Sequence, residues 1–72
     1  PKKLRGLRGP GEPPTAGDLM DGDKVVGRLG STAISATGWL GLAIVKRKHA
    51  EPGTVVHLAD GREARVVAVP VL

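Results

Sequence analysis

Seventy-two residues with net charge +4 and no cysteine describe one small domain, and they exclude disulfides and thiolate-held zinc. A domain of this size buries only about 60% of the surface its unfolded chain exposes, so its stability margin is thin. No apolar run approaches the roughly 20 residues of a membrane-spanning helix, and the start Pro1-Lys2-Lys3-Leu4-Arg5 lacks the apolar stretch of a signal peptide. The missing cysteines fit a reducing, cytoplasmic compartment. The opening on proline rather than methionine reads as a piece of a longer protein.

In chain order, Leu4 to Leu7 is a short basic segment interrupted by Gly6, suited to an edge strand where lysine and arginine discourage unwanted pairing. Residues 9–18 form an extended Pro/Gly-rich connector, because Gly9-Pro10-Gly11-Glu12-Pro13-Pro14 removes backbone donors and fixes φ. Asp21-Gly22-Asp23 is a hairpin turn signal. Lys24 to Leu29 follows as a strand, with Val25, Gly27 and Leu29 on one face and Val26 and Arg28 on the other. Gly30-Ser31-Thr32 marks a bulge or bend.

Leu40 to Val45 is apolar at both parities, which predicts a strand covered on both sides. Residues 46–53 form a polar connector with one helical turn before Pro52. Thr54 to Leu58, Asp60-Gly61, and Arg62 to Val69 spell a β-hairpin, with Ala64, Val66 and Ala68 toward the core. The sum is an all-β domain spanning residues 1–72: a small six-stranded antiparallel, Greek-key-like barrel whose closure removes free edges.

Few residues carry the pattern of a catalytic or metal site. Gly6-Leu7-Arg8-Gly9 and Gly27-Arg28-Leu29-Gly30 match the GXXG loop of an RNA-clamping KH domain but lack its flanking helices. Asp18, Asp21 and Asp23 miss the spacing of a calcium loop. His49 and His57 have no well-placed carboxylate or cysteine to complete a metal site. Ser31 and Ser35 have no nucleophile elbow around them. No catalytic residue is assigned, and the chain by itself is not expected to be an enzyme or to hold a metal.

Charge points elsewhere. Lys46, Arg47 and Lys48, together with Lys2, Lys3, Arg5 and Arg8, form a candidate polyanion patch. The lone aromatic, Trp39, gives no stacking platform for a self-sufficient single-strand binder. Trp39 reads first as a core or barrel-mouth residue, and second as a wall for a ligand or neighbouring domain.

The order of these segments resembles the C-terminal barrel of the YgfZ/GcvT superfamily, which includes the glycine-cleavage aminomethyltransferase and the folate-binding YgfZ proteins linked to iron–sulfur cluster maintenance and tRNA modification. Lys3-Leu4-Arg5-Gly6-Leu7 is similar to the family's first barrel strand. Val26-Gly27-Arg28-Leu29-Gly30-Ser31 resembles its V-G-x-[VIL]-T-S strand. Leu42-Ala43-Ile44-Val45-Lys46-Arg47 resembles A-L-A-x-V-[KR]-R, and Pro52-Gly53-Thr54-Val55-Val56 with Val66-Val67-Ala68-Val69-Pro70 resembles the last hairpin. Gly30 replaces the family's usual threonine, and the S-P step of many aminomethyltransferases gives way to Ile34-Ser35-Ala36. Both departures point to the YgfZ-like branch.

The resemblance implies a monomeric, non-catalytic barrel that packs on preceding folate-binding domains. Tetrahydrofolate would sit in those domains, with no cofactor bound by the barrel alone. Arg28, Gly30 and Ser31 are the candidates for the face toward the folate ring of domains. The family link adds tRNA and iron–sulfur proteins as partners of the parent. Direct RNA contact, or membership of a true aminomethyltransferase, are the alternative readings.

Overall fold

The computed structural model describes residues 1–69, which form six antiparallel strands closed into a barrel in the order β1-β4-β3-β2-β5-β6. The strands are β1 (Lys2–Gly9), β2 (Gly17–Asp21), β3 (Lys24–Ser35), β4 (Gly38–Lys46), β5 (Val55–His57) and β6 (Glu63–Val67). One turn of 3-10 helix, Arg47–His49, follows β4. β2, β3 and β4 run as consecutive hairpins, and β1 lies beside β4, which makes the expected Greek key.

β1 is no edge strand. It is longer than Leu4 to Leu7 and pairs with β4 on one side and β6 on the other (Gly6 with Val67, Leu7 with Val66). Its lysines and arginines serve the outer surface, because closure leaves no edge to protect. The connector is correspondingly shorter than 9–18: Gly9 still pairs with Trp39, and Gly17 already pairs with Leu29.

Every strand sends an aliphatic residue inward. The core holds Leu7 of β1, Leu19 of β2, Val26 and Leu29 of β3, Trp39, Ala43 and Val45 of β4, Val56 of β5, and Ala64 and Val66 of β6, with Ala50 and Leu58 beside them. No charged or polar residue among the described residues is buried. The barrel is therefore held by apolar burial and the strand ladder.

Two bulges in β3 rewrite its faces. Leu19 pairs with Gly27 and Met20 with Val25, so Val26 is an extra residue between them. The extra residue shifts the alternation: Val26 and Leu29 both point inward, while Val25 is exposed, contrary to the simple parity expected. The second bulge lies between Leu29 and Thr32, where Gly30 and Ser31 oppose one residue of β4, as the sequence predicts. β3 then continues to Ser35, beyond its predicted end at Leu29.

The turns follow their residues. Gly22 has φ +62° and no non-glycine residue among the described residues has positive φ, so the Gly22–Asp23 loop carries positive φ at its first position only, as in a type II′ turn. The last hairpin forms as expected, although β6 ends at Val67. Ala68 lies beyond it and is exposed rather than facing the core. The closing Pro70 of the family pattern lies outside the described residues.

Candidate functional site

The largest departure from expectation sits on the outside of the barrel. Leu40 to Val45 is covered on one face only: Gly41, Ala43 and Val45 are buried, whereas Leu42 and Ile44 stand 44% and 42% exposed. β1 pairs Leu4 with Ile44 and Gly6 with Leu42, and β3 pairs Arg28 with Ile44. Side chains at paired positions share a face. Leu4, itself 50% exposed, thus joins Ile44 and Leu42 in one outward apolar row across β1 and β4.

This row borders a shallow groove of about 370 Å³ whose lining includes Leu4, Leu42 and Ile44 together with Arg28, Gly30 and Ser31. The three residues singled out from the β3 motif therefore come together on the same surface. Arg28 is solvent-exposed and held by Asp18, with Nη1 donating to Oδ1 at 3.2 Å. The β3 bulge turns Gly30 and Ser31 toward the groove rim.

The basic residues assemble at one end of the barrel, and only in part. Lys2 pairs directly with Lys46, and the Arg47 backbone N–H donates to the Pro1 carbonyl at 3.0 Å. These contacts bring Lys2 and Lys3 beside Lys46, Arg47 and Lys48, all five exposed. None of them makes an ion pair among the described residues. Arg5 has a structural task instead: its Nε donates to the Ala50 carbonyl at 2.7 Å and its Nη1 to the Leu4 carbonyl at 2.9 Å. Arg8 lies at the other end of β1, opposite Leu40 and Arg65, and does not join the patch.

Trp39 is a core residue at 1% exposure, with its ring against Gly9 at one end of the barrel. Its indole N–H is buried and has no acceptor among the described residues. The carboxylates of β2 are used singly: Asp18 on Arg28, and Asp21 on His49 at 3.0 Å. His57 lies 3.9 Å from Glu63. Among the described residues no group of three potential metal ligands comes together. Both GXXG matches lie within strands β1 and β3.

One carboxyl is clearly perturbed. The Arg62 backbone N–H, and then the Arg62 guanidinium, hold Asp60 below the ordinary aspartate value in the β5–β6 turn. That is a turn-stabilising Asx contact.

No known family profile and no curated protein matches the chain.

The exposed aliphatic row went unread in the sequence because it depends on which strand lies beside β4. Leu4 and Ile44 are forty residues apart in the chain, and only the β1–β4 register makes them neighbours.

Proposed function

We propose that this chain is the non-catalytic C-terminal barrel of a folate-binding protein of the YgfZ type, and that the outer face of β1, β4 and β3 packs on the folate-holding domains of the same protein. The observation that carries the reading is a coincidence of place. Three segments that resemble the family, in β1, β3 and β4, are adjacent in the barrel, and the exposed Leu4–Ile44–Leu42 row of β1 and β4 borders a groove that Arg28, Gly30 and Ser31 of β3 also line. An apolar centre with polar rim residues such as Arg28 is the composition of a protein-docking surface. The departure at Gly30 does not weaken the resemblance on steric grounds. A Cβ at Gly30 would meet only the Leu42 carbonyl oxygen, at 3.5 Å, which is ordinary contact, so the backbone leaves room for a side chain there.

In this role the barrel supplies packing area and leaves chemistry to the preceding domains. Tetrahydrofolate belongs there, and the work in iron–sulfur cluster maintenance or tRNA modification belongs to the whole protein. The direct test is the reading frame upstream of Pro1. Folate-binding domains carrying K-G-C-Y-x-G-Q-E, the signature of the YgfZ-type proteins that the chain resembles, are expected there, and the lack of both the signature and any such domain refutes the proposal. A second test replaces Arg28 by alanine in the whole protein. Weakened tetrahydrofolate binding or lower stability supports its place at the domain contact, and neither change removes it.

The assembled basic end favours one second reading, direct contact with RNA. Five exposed cations converge there from two distant segments. If all five met phosphates of a duplex, the slope of log affinity against log salt would be about −4 to −5. The triple substitution Lys46→Glu, Arg47→Glu, Lys48→Glu would abolish that binding. Salt-independent or absent tRNA binding rules the reading out.

A further inference from the structure

We infer that the groove at the Trp39 end of the barrel is a binding site for a singly charged carboxylate carrying an aliphatic body. The register lays one outward row across four strands: Val55 beside Arg65, Arg65 beside Arg8, and Arg8 beside Leu40. Two arginines thus stand directly opposite each other, flanked on both sides by aliphatic residues. Directly opposed side chains have Cβ atoms about 4.5–5.5 Å apart, and like charges so placed destabilise a sheet. An anion between the two guanidiniums turns that repulsion into a shared clamp, because each fork offers parallel donors to a carboxylate.

The surroundings define the ligand. The row lines a groove of about 530 Å³ whose lining also includes the Ser35–Thr37 turn and Trp39. That volume suits a small molecule. Arg65 donates through Nη1 to the Gly53 carbonyl at 3.0 Å, on the β5 side of β6, and its other guanidinium donors make no bond among the described residues. Arg8 makes no ion pair among the described residues. Glu63 also lines the groove. Two cations and one carboxylate leave a single positive charge to be matched, which favours a monocarboxylate over a doubly charged phosphate. Leu40 and Val55 on either side provide apolar contact for the ligand's body. The site is separate from the Leu4–Ile44–Leu42 face and from the basic end, and it does not depend on the family resemblance.

The test titrates the 72-residue chain with hexanoate, hexanamide and hexyl phosphate, read by the emission of Trp39, the only aromatic residue of the chain. Arg8 and Arg65 side-chain resonances provide a second readout. Saturable hexanoate binding, at least about fivefold weaker hexanamide binding, and a loss of about threefold to fivefold in each of Arg8→Gln and Arg65→Gln are expected. Lys46→Gln, at the opposite end, is expected to bind as wild type. Matching amide spectra show that the variants are folded, and the hexanamide comparison stands without any variant. The inference is overturned if hexanoate does not saturate, if hexanamide binds equally well, if hexyl phosphate binds more tightly than hexanoate, or if neither arginine substitution changes the affinity.

Discussion

Gly9→Ala should be among the most damaging single-methyl additions in the barrel, because of what the methyl meets. A Cβ at Gly9 would lie 2.8 Å from Nε1 of Trp39 and 3.0 Å from Cε2 and Cζ2, where ordinary contact begins at 3.4 Å. The indole is flat, rigid and 1% exposed, so it cannot yield without disturbing its packing in the core. Overpacking of this kind costs about 1–3 kcal/mol. A 72-residue domain has roughly 4–11 kcal/mol in total. With a urea dependence of about 1 kcal/mol per molar, the unfolding midpoint falls by about 1–3 M. Far-UV circular dichroism follows the transition without using the tryptophan as its probe. Trp39→Phe removes Nε1 and the outer ring atoms, so in that background the cost of Gly9→Ala drops below about 0.5 kcal/mol and the pair couples by about 0.5 kcal/mol or more. An equal cost in both backgrounds, or no cost in either, would refute the placement of the ring against β1.

Gly30→Thr should be tolerated and stabilising by about 0.5–1 kcal/mol, since a β-branched residue replaces a flexible one at an open strand position; a lower melting temperature would contradict the bulge geometry. Arg5→Met keeps the aliphatic stem but removes the donor to the Ala50 carbonyl. It should destabilise by about 1 kcal/mol and speed amide exchange around residues 47–50, and unchanged exchange would argue that the turn is held by other contacts. Asp60 is depressed in the folded state, so its contribution is present above the unfolded carboxylate value and is lost as pH falls through the folded one. Wild type should therefore exceed Asp60→Asn in stability at neutral pH. The gap should close below about pH 4, and parallel pH profiles for the two proteins would count against the Arg62 contact.

The hairpins were legible because their signals are local. Asp21-Gly22-Asp23 and Asp60-Gly61 declare turns through residues that accept turn conformations, and the alternation of Ala64 and Val66 shows which side of β6 is buried. The Gly30–Ser31 bulge was visible for the same reason. Hidden from the sequence were features set by distant pairing. The bulge at Val26 exists only relative to β2, so alternation through Lys24–Leu29 misplaced Val25 and Val26. The double-parity apolar run of β4 suggested cover on both sides. The structure leaves its even positions bare, where Leu42 and Ile44 meet Leu4 across the β1–β4 ladder. Closure between β1 and β6 likewise converts a predicted edge into a paired strand. Arg8 counted in the sequence as one more member of a basic cluster. The register moves it to the far end of β1 and opposite Arg65.

The proposed role requires the outer face of β1, β4 and β3 to be a contact surface for other domains of the same protein. The most direct measurement is the affinity of this chain, added in trans, for the separately produced folate-binding domains that the proposal places before it, read by titration calorimetry. Micromolar or tighter binding is predicted, weakened at least about tenfold by Leu42→Lys or Ile44→Lys. Ile34→Lys, at an 82% exposed position paired with Trp39 at the far end of β3, away from the Leu4–Ile44–Leu42 row, is predicted to bind as wild type. No association, or equal affinity for all three variants, would contradict the assignment.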